Sequence, residues 1–172
     1  MKKTVVILGS IFLVLFSVAQ EKKQVSLEDI WRNYTFRSKS VRGLRSMNDG
    51  KHYTTLDYNE DGSKSVNKYT YETGEKVEEI INSYQLVYNN DTIDIVNYEF
   101  SDNEQFMLIY ENFNPIYRRS WTADAYILNL QTKELQKISD NPISYPELSP
   151  DNRTVLYIYN NNIYLYDIQN KT

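Results

Sequence analysis

Two adjacent arginines, Arg118 and Arg119, stand between Tyr117 and Trp121 in the stretch Asn-Pro-Ile-Tyr-Arg-Arg-Ser-Trp-Thr-Ala, residues 114–123. A guanidinium offers a planar fork of donors that matches carbonyl or carboxylate oxygens, and aromatic planes can hold it by stacking while the fork stays free. The combination is suited to gripping a peptide backbone. The other candidates offer less. His52 is the only histidine and cysteine is absent, so no transition-metal ligand set is expected. Asp57-Tyr58-Asn59-Glu60-Asp61-Gly62 matches the first half of an EF-hand loop, yet Lys68 stands where the bidentate glutamate belongs. Turn chemistry explains the same residues, because Asn and Asp hydrogen-bond their own backbone in tight turns. There is no Gly-x-Ser-x-Gly elbow and no phosphate-binding glycine loop. Catalytic residues, metal and cofactor are therefore all read as none for this chain.

The arginines interrupt a β pattern. Phe106-Met107-Leu108-Ile109-Tyr110 precedes them and Tyr126-Ile127-Leu128-Asn129-Leu130 follows, both rich in strand-favouring aliphatic and aromatic residues. Two such strands need only a short turn, so the long intervening stretch is a functional candidate. Ser26-Leu27-Glu28-Asp29-Ile30-Trp31 reads as a turn or two of helix capped by Ser26. From Val41 the reading changes to strands at 41–47, 52–58, 65–71 and 76–81, then 92–100, 106–110, 124–130 and 134–138, then 143–148, 155–159 and 163–168, separated by Asn, Asp, Gly and Pro turns. Asp49, Asp102 and Asp151 open corresponding turns and suggest an internal repeat.

These aspartates are spaced by 53 and 49 residues, and repeats of about that length built from four short strands are the signature of propeller blades. The expected fold is all-β: a partial β-propeller of about two and a half blades of four-stranded antiparallel meanders, with blades at 41–82, 92–139 and 143–172 inside a region 41–172. A segment at 20–40 carries the short helix. Two and a half blades cannot close a ring of typically four to eight, so the chain is expected to be a fragment of a longer protein.

Met1-Lys2-Lys3, an apolar run from Thr4 to Phe16 and Ser17-Val18-Ala19 make a secretory signal peptide over 1–19. Periplasmic or secreted localisation follows as an expectation. Removing the leader with its two lysines leaves 17 basic against 23 acidic residues, a net charge of −6. No nucleic-acid partner is expected from that balance. An exported chain without cysteine relies on core burial alone, which favours a bacterial envelope over a disulfide-stapled scaffold.

Residues 117–123 with the strand 126–130 resemble the Trp-Arg-His-Ser-Tyr-Thr-Ala segment and following strand of the dipeptidyl peptidase IV family. The Ser26–Trp31 opening, the Ser149-Pro150-Asp151 turn and Asn161-Asn162-Ile163-Tyr164 resemble the same family's N-terminal region. The resemblance implies an eight-bladed propeller over a C-terminal α/β-hydrolase domain that releases N-terminal X-Pro or X-Ala dipeptides. The partner is then a peptide substrate with a free N-terminus, and a homodimer of the full-length protein is compatible with it. It implies that Arg118 binds a substrate backbone oxygen, with Tyr117 and Trp121 keeping the aromatic frame and Arg119, which replaces a histidine, left without an assigned role. The family's ammonium-binding glutamate pair and its triad-bearing domain have no counterpart here, so this chain alone is expected to be inactive. The alternative is a non-catalytic envelope β-propeller that binds a protein or peptide partner.

Overall fold

The computed structural model describes residues 24–38 and 40–172; the expected signal peptide at 1–19 lies outside the described residues. The chain divides into two units, one ending at Ser40 and one running from Val41 to Thr172. In the first, helix α1 (Leu27–Trp31) begins at Ser26, whose hydroxyl accepts the Asp29 amide at 3.1 Å while the Asp29 carboxylate accepts the Ser26 amide at 3.4 Å. Reciprocal capping matters here because a helix this short gains little from propagation.

The second unit is a partial β-propeller. Strands β1 (Arg45–Ser46), β2 (His52–Tyr58), β3 (Lys64–Thr70) and β4 (Lys76–Asn82) form one antiparallel meander in chain order. A 3-10 turn at Ser83–Gln85 and a ribbon of β5 (Val87–Tyr88) with β6 (Asp91–Thr92) lead to the second meander. That one holds β7 (Asn97–Phe100), β8 (Phe106–Tyr117), β9 (Ser120–Asn129) and β10 (Leu135–Lys137), and the third sheet holds β11 (Ser144–Leu148), β12 (Thr154–Tyr159) and β13 (Asn162–Asp167).

Burial on both faces explains why the two central strands of the middle sheet are apolar over 106–110 and 125–128. Side chains alternate across a strand, and here both faces are buried. Met107, Ile109, Tyr126 and Leu128 join Val66, Ile81, Ile95 and Tyr98 in one core layer toward the first sheet. Leu108, Tyr110, Ala125 and Ile127 join Ile143, Val155 and Tyr166 in a second layer toward the third. A sheet buried on both faces reads as a continuous hydrophobic run, as Phe106–Tyr110 does. Polar bonds tie the first two sheets as well: the Tyr98 hydroxyl donates to Thr54 at 2.8 Å and Arg45 donates to Asn97 at 2.6 Å.

Several boundaries differ from the sequence reading. The expected strand 41–47 shortens to Arg45–Ser46, because Gly43 takes a φ of +64° that a strand residue does not adopt. The expected strand 92–100 breaks in two, since Asp91–Thr92 pairs back on Val87–Tyr88. The expected end of a strand at Tyr110 moves to Tyr117. The repeat also departs by one residue from the sequence reading at one of the three aspartates that suggested it, Asp102. Met47, Ser101 and Ser149 each donate to the carbonyl five residues on and accept from the amide three residues on. In that frame Asp49, Asn103 and Asp151 are equivalent, each accepting the amide two residues later. Asn103, not Asp102, is the repeat position, and asparagine serves because the turn needs only a side-chain oxygen.

In the first of these turns the Asp49 carboxylate also accepts from the His52 ring at 2.5 Å. That bond, helped by backbone amides, holds the Asp49 carboxyl at about 2, below its usual 3.8. A depressed carboxyl stabilises the folded chain above its unfolded value, and this contribution is lost as pH falls from near 3.8 toward 2. Carboxyl NMR titration is expected to place Asp49 near 2 and to move it toward 3.8 in His52→Ala; an unmoved midpoint rules out the pair as the cause.

Candidate functional site

The stretch expected to interrupt a hairpin is itself hairpin. Strands β8 and β9 stay paired past the sheet, through Asn114↔Thr122 and Pro115↔Trp121 to Tyr117↔Ser120, so that Arg118 and Arg119 form a two-residue tip. The arm bends twice, because one extra residue enters β8 between Glu111 and Asn114 and another between Pro115 and Tyr117. Asn112 takes a φ of +50° at the first bend, a conformation asparagine tolerates. Neither arginine has the positive φ of the usual tight hairpin turns, and the second extra residue accommodates that.

The root of the arm is fixed by polar contacts. Asp124 accepts from Asn112 at 2.7 Å and pairs with Lys137 at 3.4 Å. Glu111 accepts the Asp94 amide at 2.8 Å and the Tyr126 hydroxyl at 3.2 Å. Burial first, and the Glu111 carboxylate beside it, push the Tyr126 hydroxyl well above its ordinary value, so it remains a donor. Above the root lies an aromatic cluster. Trp121 meets Tyr110 edge-on at 5.4 Å and packs beside Phe113 at 5.1 Å and Tyr145 at 5.8 Å. The third sheet braces the returning strand: Ala123 and Ile143 exchange both backbone bonds at 2.9 Å, and the Ser144 hydroxyl donates to the Trp121 carbonyl at 2.7 Å.

Arg118 and Arg119 are exposed, and among the described residues neither guanidinium has a hydrogen-bond, ion-pair or ring partner. The aromatic frame expected around them is not where the sequence suggested. Trp121 belongs to the cluster below the tip, and Tyr117, 80% exposed, closes the turn without covering either arginine. The tip thus presents two free donor forks on a backbone anchored from below, an arrangement able to take a carbonyl or carboxylate oxygen. Sequence reasoning missed Tyr145, whose hydroxyl donates to the Arg119 carbonyl at 2.8 Å. It is one of sixteen tyrosines, and only its place before Pro146 sets it apart.

The half EF-hand resolves into turn and sheet chemistry. Asp61 accepts the amide and hydroxyl of Ser63, and the Asn59 amide donates to Ser63 and Ser65 at 2.8 Å. Burial pushes the Asp57 carboxyl up, but hydrogen bonds from Tyr69, Asn67 and Thr55 outweigh it and leave the group below its usual range. The same contact, after burial, pushes Tyr69 up to about 12. Among the described residues no three His, Cys, Asp or Glu side chains stand where they could hold a metal ion.

Residues 101–172 match the family model described as Dipeptidyl peptidase IV (DPP IV) N-terminal region. Prolyl endopeptidase FAP of Homo sapiens is 32% identical over 101 residues, covering 56% of this chain and 12% of that protein. A putative dipeptidyl aminopeptidase of Schizosaccharomyces pombe is 32% identical over 84 residues, covering 46% of this chain and 11% of that protein. The crystal structure of Porphyromonas gingivalis dipeptidyl peptidase 4 superposes with a TM-score of 0.66 at 28% identity, covering 88% of this chain and 21% of that one. The chain matches only about an eighth of the length of these curated relatives.

Proposed function

We propose that this chain, whose residues 101–172 match the dipeptidyl peptidase IV N-terminal region, is the propeller portion of an exported serine exopeptidase that releases X-Pro or X-Ala dipeptides. In this reading Arg118 donates to a backbone carbonyl of a peptide substrate with a free N-terminus. The catalytic serine, its triad partners and the ammonium-binding carboxylates belong to parts of the protein beyond this chain, in the remaining blades and an α/β-hydrolase domain. The protein works in the periplasm or outside the cell, and a homodimer of the full-length product is compatible with the same reading.

One observation carries the assignment of Arg118: an unpartnered guanidinium at the tip of an arm whose root and flank are fixed by packing and hydrogen bonds. An exopeptidase that removes two residues must measure distance from a charged terminus, so the carbonyl-binding donor has to be held still relative to the nucleophile. A fixed tip meets that requirement, whereas a solvated loop does not. Assay of the purified 172-residue chain with an Ala-Pro chromogenic substrate is expected to show no turnover, and the full gene product to show it. A full product without dipeptide release overturns this reading and leaves a propeller that binds a partner without cleaving it.

A further inference from the structure

We propose that Tyr145 is a positioning residue for substrate binding, fixing the tip that carries Arg118; the proposal rests on the function assigned to Arg118 above. The observation behind it is a backbone conformation. Tyr145 has a φ of +51°, and among the described residues from Val41 onward it is the one aromatic residue with positive φ. Side chains with a Cβ avoid this region because the Cβ crowds the following carbonyl, and for a bulky residue it marks a true outlier. The next residue, Pro146, restricts the backbone of Tyr145 further.

Burial does not repay this strain, since Tyr145 is 44% exposed. Its register shows what the conformation achieves. Ser144 pairs with Ile158 and Glu147 with Leu156, so β11 carries one extra residue between them. The bulge falls at Tyr145-Pro146, where proline has no amide to contribute to the ladder. A bulge re-aims a side chain, and here the Tyr145 ring lies 5.8 Å from Trp121 while its hydroxyl donates to the Arg119 carbonyl at 2.8 Å. The other ties to the arm, from Ile143 to Ala123 and from Ser144 to the Trp121 carbonyl, act lower down. Beyond them a register shift between Pro115 and Tyr117 interrupts the ladder before the tip. Tyr145 is the contact from the third sheet that reaches past that point, and strain retained for such a contact is the pattern of a functional constraint.

The test uses the full-length product and an Ala-Pro chromogenic substrate. Tyr145→Phe removes only the hydroxyl. It is expected to raise KM and lower kcat/KM about 3- to 10-fold with Tm unchanged, and to cause no further loss when Arg118 is already alanine. Tyr145→Gly relieves the strained φ and removes the ring, so it is expected to keep Tm and lose at least as much kcat/KM. Loss on Arg118→Ala with none on Tyr145→Phe overturns the positioning role alone. Equal losses from Tyr145→Phe in both backgrounds, or losses that follow a fall in Tm, assign it a merely structural role and also overturn the proposal. No loss on Arg118→Ala overturns the role assigned to Arg118, and this proposal with it, while dipeptide release by the full-length product still tests the function reading separately.

Discussion

Replacing Arg118 with alanine in the full-length product is expected to lower kcat/KM for an Ala-Pro substrate about 10- to 100-fold, with thermal unfolding unchanged. The magnitude follows from the chemistry of the contact. A hydrogen bond to a charged group contributes about 1.5 to 3 kcal/mol, and each 1.36 kcal/mol of lost transition-state stabilisation is a factor of about ten. The unchanged unfolding follows from the structure, because among the described residues the Arg118 guanidinium touches no partner whose loss would destabilise the fold. Arg118→Lys keeps the charge and loses the planar fork, so it is expected to recover only part of the activity. Arg119→Ala is the control for general electrostatics at the tip. It removes another exposed charge one residue away and is expected to cost no more than a few-fold, the effect of a surface charge on encounter. Equal losses at the two positions would show that the tip acts through charge alone, and an Arg118→Ala enzyme with wild-type kcat/KM would remove the arginine from the site.

Much of this architecture was legible in the sequence for one reason: the middle sheet is buried on both faces, so its central strands β8 and β9 announce themselves as apolar runs. Turns were legible where Gly, Asn or Asp occupies a left-handed position, as at Gly50, Gly62 and Asn152. Glu104 was not, since glutamate at φ +55° carries no such signal; there it accepts the Asn48 amide at 2.6 Å, a contact from a neighbouring sheet that no local pattern encodes. The arm was half legible. Asn114, Pro115 and the paired arginines read as an interruption because their composition is polar, yet main-chain pairing continues through Tyr117↔Ser120 whatever the side chains are. The aromatic frame failed for a related reason. Proximity in sequence placed Trp121 beside the arginines, but alternation along β9 directs it to the cluster with Tyr110 and Phe113. Tyr145 lies 26 positions from its partner Arg119, and no spacing rule connects them.

The largest effect on stability is expected at Ile109, which is fully buried in the first half of β8. Truncating a buried isoleucine to alanine costs about 2 to 5 kcal/mol, the spread depending on how far the surroundings relax into the space left behind. Ile109 belongs near the upper end, because its cross-strand neighbours are Tyr98 on β7 and Tyr126 on β9. Neither ring is free to move in. The Tyr98 hydroxyl is held by Thr54 and the Tyr126 hydroxyl by Glu111, so closing the cavity would break a hydrogen bond at one end or the other. Ile109→Val, which removes a single methyl, is expected to cost about 0.5 to 1.5 kcal/mol. Ile116→Ala, on the arm and 63% exposed, is expected to stay within about 0.5 kcal/mol. Urea unfolding followed by tyrosine and tryptophan fluorescence separates the three, and a cost at Ile109 no larger than at Ile116 would disprove the packing of the middle sheet described above. The link to Glu111 extends the consequence from core to site. Tyr126 touches both the cavity and the root of the arm, so Ile109→Ala is expected to loosen the arm as well, and the full-length variant should lose kcat/KM in addition to stability.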